Sequence, residues 1–363
     1  MNPFLSVAPD GSEYVTSRCS LNRAVMAKLP LDGTGEQIEG LCFSDIFSTE
    51  LLIAEIRSRA RYFGVDISEL EDRQLPRALD RWLTSKSIRE RGLAQRVVSK
   101  FGNRLGLILL ALKRGDIENR RARDDWDDSC WDYWRELSTV ILTGGLSSSM
   151  LGRRFKEQIL SVFDRAGVPP YQIMLFENGA YLGVMGAAQR LMRDDTEAVV
   201  FDLGQTNIKR AVVRKRGGDI EGFSPLETLR ASFMETSFDT EEQRRDAALR
   251  LHRYLLNSIA ESVRDAEMVH TLSDEIIVCI ASYTYSGILD DERGGYAKLR
   301  LLGDNYALLL SNDLSGELRR PVTVRLLHDS TATALYFSNI ENSVCITLGT
   351  GFGVGFPEIR IRR

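Results

Sequence analysis

The chain has 363 residues, enough for two domains and a sizeable core. Hydrophobic residues make up 43% and charged residues 27%, and a net charge of -4 gives no electrostatic ground for a nucleic-acid partner or an anionic membrane surface. Five cysteines, Cys19, Cys42, Cys130, Cys279 and Cys345, lack C-x-x-C spacing, which points to a reducing compartment and away from a zinc cluster or disulfide framework.

The opening MNPFLSVAPDGSEY has no basic start followed by an apolar run. LGLILLAL falls well short of the ~18 apolar residues of a membrane span. The expectation is a cytoplasmic protein. The segment from Asp66 to Arg91 is charged and weakly patterned, and reads as surface helix and loop. Between Leu93 and Lys113, Val98, Phe101, Leu105, Ile108 and Leu112 recur at helical spacing, and Gly115 sits where a C-terminal cap belongs. Arg-rich NRRARDD is interleaved with acids and reads as a solvated helix face.

Next comes a strand, STVILTGG, then the helix MLGRRFKEQILSVFDRAG, then strands YQIMLF, EAVVFDLG and NIKRAVVRK. TEEQRRDAALRLHRYLLNSIAESV places Ala248, Leu251, Leu255, Ile259 and Val263 on one helical face, and Thr240 with Gln243 resembles a capping box. EIIVCIAS, PVTVRLLHD and NSVCITLGTG complete the strands. Strands interleaved with helices predict an α/β fold. Breaks are expected near Asp194–Asp195 and Leu327–His328.

Three polar loops follow strands, where ligand groups collect in α/β proteins. DLGQTN offers Asp202, Gly204, Gln205, Thr206 and Asn207 in a hairpin turn. LGTGFGVGF offers Gly349, Thr350, Gly351 and Gly353, where glycine permits positive φ and close backbone approach to an anion. LTGGLSSSM offers Gly144, Gly145 and Ser147, with serines able to cap the next helix. Each alone is equally a structural turn; three together favour a nucleotide site. In RLLHDSTATALYF, Asp329 ends a strand facing these loops, placed either to cap the following helix or to act as a general base.

Together these segments resemble the ATPase core shared by actin, hexokinase and heat-shock chaperones, and most of all the ROK family of bacterial sugar kinases. DLGQTN resembles that family's D-[IL]-G-G-T-[KN] hairpin, HDSTATAL its N-D-A-N-A-A-A-L segment, LGTGFGVG its L-G-T-G-[IF]-G-x-G loop, and VILTGGLSSS its V-[IL]-x-G-G motif. GAYLGVMGAAQRL resembles its closing helix. The order is rotated: residues 195–363 match the family's first half and 1–194 its second, as in a circular permutation. The resemblance implies two ribonuclease-H-like domains with a nucleotide cleft between them. One lobe would comprise 195–327 plus the closing helix about 176–194, the other 328–363 with 1–175.

The resemblance further implies ATP and Mg2+ as cofactors, with Asp202 holding magnesium through water and Asp329 as the catalytic base. It also implies a sugar-like substrate and a homodimer, with no nucleic acid or membrane partner. The departures fall on the substrate side. The family's sugar-binding E-x-G-H aligns with NRAVMAKLPLDG, giving Arg23 and Met26, and its cysteine-rich zinc loop with GLCFSDIFS, so structural zinc is expected to be absent. His328 replaces the asparagine before the catalytic aspartate; a substrate contact and a hydrogen-bonded strand end fit it equally. Tyr283, Thr284 and Tyr285 stand where the family has V-P-G-P, suited to a sugar ring or to loop packing. Asn305 stands in for a substrate asparagine, and Gln205 replaces the hairpin's second glycine. The expected function is ATP-dependent phosphotransfer to a sugar-like hydroxyl. The alternatives are a catalytically inactive nucleotide- or sugar-binding sensor and, ranked behind it, an ATPase that drives a partner's conformational change.

Overall fold

Alternation explains the best-defined sheet. In Thr196–Leu203, Val199, Phe201 and Leu203 face one side while Ala198 and Val200 face the other, and all five are buried. A strand apolar on both faces must be covered on both, and it is. Leu251, Leu255, Ile259 and Val263 of the helix Glu241–Glu267 cover the first face. Val184, Ala187 and Ala188 of the helix Leu182–Ala188 cover the second. The structure, a computed structural model, describes residues 1–9, 11–176, 179–290 and 294–357.

The chain folds as two compact units, each α/β. The second unit holds Phe4–Ser17, Tyr181–Glu341 and, of the described C-terminal residues, 355–357. Its sheet runs in the order Thr323–His328, Glu275–Ile280, Thr196–Leu203, Asn207–Arg216, Asp219–Pro225. Numbered along the unit, that is 5-4-1-2-3. The first three strands are antiparallel and the last two run parallel to the first. This is the ribonuclease-H-like arrangement.

The first unit holds Met1–Pro3, Arg18–Ala180 and Asn342–Val354. Its sheet runs Phe352–Gly355, Ser343–Leu348, Thr139–Thr143, Gln172–Leu175, with the last three parallel. The helices Ile88–Arg114 and Ser149–Ala166 cross closely here because Gly102 and Gly106 have no side chain to hold them apart: a Cβ would lie 2.7 Å from Gln158 and 2.8 Å from Val162. In the second unit the hairpin strands precede the parallel pair. In the first, the parallel strands Thr139–Thr143 and Gln172–Leu175 precede the neighbouring strands Ser343–Leu348 and Phe352–Gly355 along the chain.

The stretch from His328 to Glu341, assigned to the other lobe by a break at Leu327–His328, lies in the second unit. The helix Asp329–Leu335 is packed there on Leu182–Ala188, where Gly186 lies against the Ala332 carbonyl. Of the lobe boundaries, residues 177–178 and 358–363 lie outside the described residues.

Several local expectations change in detail. Thr240 Oγ1 accepts from Gln243 N at 3.2 Å, but the Gln243 side chain reaches Asp239 N instead of closing the box on Thr240. Within 66–91, the helix Leu75–Trp82 is more than surface: Leu75, Ala78, Leu79 and Trp82 are buried. Gly115 caps its helix in the left-handed conformation, as its position predicts.

Candidate active site

Three parallel strand ends of the second unit define the site. Leu203, Ile280 and His328 are register partners across them, so Asp202 and Asp329 flank the strand Glu275–Ile280 at its carboxyl edge. Ligands of open α/β sheets collect at such an edge. Asp202 is buried, and its register partner across the hairpin is Lys209, whose Nζ lies 3.4 Å from Asp202 Oδ2. Burial pushes the Asp202 carboxyl above its ordinary pKa; Lys209 opposes the shift and the charge of Asp329 adds to it.

The hairpin turn is fixed from several sides. Gly204 N donates to Asn207 O at 3.0 Å, and Tyr296 Oη donates to Gly204 O at 2.9 Å. Burial raises the Tyr296 phenol, so it stays a donor. Gln205 turns inward and its amide donates to Ala281 O at 3.3 Å, so that amide is committed to the scaffold. Thr206 and Asn207 remain exposed at the tip. Gly183 leaves room for Asp202: a Cβ there would lie 3.2 Å from Asp202 Oδ2.

Asp329 opens the helix Asp329–Leu335. Its Oδ1 accepts from Ser330 N at 2.6 Å and from Ser330 Oγ at 3.1 Å, so it caps the helix and still presents a side chain 30% exposed. Burial raises its pKa to about 6, against the pull of the Ser330 bonds and of Lys209. His328 is buried behind it. Its Nε2 lies 3.4 Å from Asp329 Oδ1, its Nδ1 lies 3.1 Å from Thr331 Oγ1, and its ring stacks on Tyr283 with centroids 4.2 Å apart. His328 and Tyr283 thus form the backing of the carboxylate.

The other residues anticipated on the substrate side are committed to local structure. Thr284 is buried in a two-residue strand paired with Leu289. Asn305 caps the helix Tyr306–Leu318, accepting from Leu308 N at 3.0 Å and donating to Ser286 O at 2.9 Å. Cys279, read from sequence only as one of five scattered cysteines, and Tyr296, which sequence does not mark, both lie within electrostatic reach of the two aspartates.

The first unit carries the remaining loops. None of Gly349, Gly351 and Gly353 adopts positive φ, so conformational freedom is not their role. Close approach is: a Cβ on Gly351 would lie 2.8 Å from Asn22 Oδ1, and the Asn22 amide clamps both Phe352 N at 2.7 Å and Phe352 O at 2.9 Å. Thr350 stands exposed at the tip. Gly144 does adopt φ 92°, with its α-carbon against the Leu348 backbone. Gly145 has open space around it. Ser147 is buried and donates to Gly144 O at 2.9 Å, and Ser148 at the N-cap position makes no side-chain cap bond. The capping expected of these serines is supplied by Asp80, whose Oδ1 accepts from Leu151 N at 2.7 Å.

Magnesium prefers hard oxygen ligands and is usually held by one or two carboxylates with substrate phosphates. Among the described residues no group of three or more His, Cys, Asp and Glu side chains gathers to hold a metal. Asp202 with Asp329 beyond it fits the one-or-two-carboxylate pattern.

No family model matches the chain, and no curated protein matches it. Among solved structures, a chain of the PilM-PilN type IV pilus biogenesis complex is similar at 17% identity and a TM-score of 0.29, over 50% of this chain and 49% of that one. The type II variant of the Aquifex aeolicus Ppx/GppA phosphatase is similar at 12% identity and 0.27, over 55% and 73%. A secreted C11 cysteine protease from Bacteroides thetaiotaomicron is similar at 8% identity and 0.21, over 60% and 53%. The chain spans about half the length of the pilus-complex chain it matches. Likenesses of this extent carry no argument about chemistry. No helix among the described residues is long and apolar enough to cross a membrane.

Proposed function

We propose that the protein transfers a phosphoryl group from Mg-ATP to a hydroxyl of a sugar-like small molecule, as a permuted relative of the ROK kinases. The observation that carries the reading is the unequal pair of carboxylates at one sheet edge. Asp202 is tied to Lys209, while Asp329 is partly exposed with a pKa of about 6. A carboxylate so tuned is ionised at neutral pH yet basic enough to take a hydroxyl proton as the oxygen attacks. Ser330 and His328 hold Asp329 in place for that role. Asp202 would hold magnesium, mainly through water, and the ion would neutralise charge on the phosphates. Thr206 and Asn207 at one hairpin tip, and Thr350 at the other, are the exposed groups suited to phosphate oxygens. Within the first unit, Gly349, Gly351, Gly353, Gly144, Gly145 and Ser147 shape the backbone near Thr350.

A second reading, a sensor that binds nucleotide or sugar without turnover, is favoured by Lys209. Its ammonium already supplies Asp202 with the positive charge a metal ion would bring. ADP release from Mg-ATP, measured across hexoses, N-acylated amino sugars and polyols with Asp329→Asn in parallel, separates the two. Acceptor-dependent turnover lost in the variant supports the kinase. Mg-ATP binding without turnover supports the sensor, and no nucleotide binding sinks the kinase and the reading of the glycine loops as phosphate loops.

A further inference from the structure

A cavity of about 620 Å3 lies in the second unit between the loop 235–240, the start of the helix Glu241–Glu267 and the 3-10 helix Ala297–Leu302. Its size suits a small metabolite. At its floor is Lys298, with a side chain only 2% exposed. An ammonium has three donors. Lys298 Nζ gives one to Glu235 O at 2.8 Å, and the Glu235 carboxylate, at 3.9 Å, stands beyond hydrogen-bond distance. The Phe238 ring adds a contact 5.7 Å from the ammonium. Among the described residues no carboxylate hydrogen-bonds this buried cation. Arg244, half-buried on the wall, has its nearest carboxylate, Glu241, at 3.9 Å.

A buried cation left without a close anion is destabilising unless something compensates it. Burial accordingly lowers the Lys298 pKa. The carboxylates of Glu235, Asp239 and Glu241 are exposed at the mouth, so the cavity is basic at its floor and acidic at its rim. Such a rim repels polyanions and admits a compact molecule whose one anionic group reaches the floor while its hydroxyls meet the rim.

We propose that this cavity binds a small polyhydroxylated molecule through one oxyanion, a carboxylate or a phosphate, held by Lys298 and Arg244. The site neighbours the phosphate hairpin, since Gly294 on its wall lies beside the Gln205 amide. It does not depend on phosphotransfer.

The test is calorimetric titration of the full chain, without nucleotide, with D-gluconate, D-glucose 6-phosphate and neutral D-glucose. At least one anion is expected to bind about tenfold or more tightly than glucose. Which anion does so names the source of the oxyanion. That binding should weaken about tenfold in Lys298→Met, measurably in Arg244→Gln, and not in Thr206→Ala. Should Lys298→Met fail to fold, Arg244→Gln decides. Equal binding of all three, or binding lost in Thr206→Ala but not in the cavity variants, would overturn the proposal. Because no turnover is read, neither result touches the phosphotransfer reading.

Discussion

Asp202 and Lys209 stand directly opposite each other across the hairpin, the ammonium 3.4 Å from the carboxylate and two-thirds buried. Lys209 also lowers the pKa of Asp329, so one cation tunes both acids. Lys209→Met should therefore raise both carboxyls. The Asp329 titration is expected to move upward from about 6, carrying the acidic limb of any pH–rate profile with it. The 13C shift of the Asp329 carboxyl reads the same change without turnover. A limb unmoved in Lys209→Met, with Lys209→Arg also silent, would show that the cation does not tune the base.

Asp329 carries the clearest consequence for pH. Its folded pKa, about 6, lies above its ordinary value of 3.8, so the folded state binds the proton more tightly than the unfolded one. Its contribution to stability is full below pH 3.8, falls as pH rises towards 6, and then levels off. Asp329→Asn should thus gain stability of the order of 1–2 kcal/mol at pH 8, a gain that fades below pH 4. Turnover should fall about 10²–10⁴-fold in the same variant. Urea melts at the two pH values check the first part; a variant less stable at pH 8 would mean that the capping bonds from Ser330 outweigh the desolvation.

The parts of this site that sequence exposes are those governed by adjacent residues. An apolar run ending in an acid marks Asp202 and Asp329, and seven of the nine strands in the two sheet orders follow from their own alternation or continuous apolarity; Asp219–Pro225 and the glycine-rich Phe352–Gly355 do not. Lys209 is missed because its meaning depends on register. It was within reach, since closing the turn at Gly204–Asn207 pairs Leu203 with Ile208 and so Asp202 with Lys209. Asn22, Asp80 and Tyr296 carry no such signal. Each is an ordinary residue whose partner, Phe352, Leu151 or Gly204, is brought to it only by the tertiary fold. The substrate-side reading of Asn305 rested on analogy of position, and its side chain is spent on a helix cap.

Gly186 sets how close the helix carrying Asp329 comes to its neighbour. A Cβ there would overlap the Ala332 carbonyl oxygen and sit 3.0 Å from Tyr336 N, both backbone atoms that cannot rotate away. Gly186→Ala should cost about 3 kcal/mol or more by overpacking, despite alanine's better helix propensity. The control is Gly145→Ala, at a position with open space, which should change stability by less than about 0.5 kcal/mol. Equal melting temperatures for the two variants would contradict the close packing.

Asp80 joins the charged segment 66–91 to the first unit's glycine loop. Its carboxylate accepts the Leu151 N–H, one of the free donors at the start of the helix Ser149–Ala166, and Ser148 leaves that role vacant. A carboxylate at a helix N-terminus gains from both the hydrogen bond and the helix dipole. Asp80→Ala should destabilise the protein by about 1–2 kcal/mol, and Asp80→Asn, which keeps the acceptor but loses the charge, by less. Because the capped turn follows Gly144 and Gly145 directly, amide exchange from 146 to 151 should quicken in Asp80→Ala while exchange in the strand Thr139–Thr143 stays slow. Faster exchange across that whole strand would mean that Asp80 supports the sheet itself and not the loop alone.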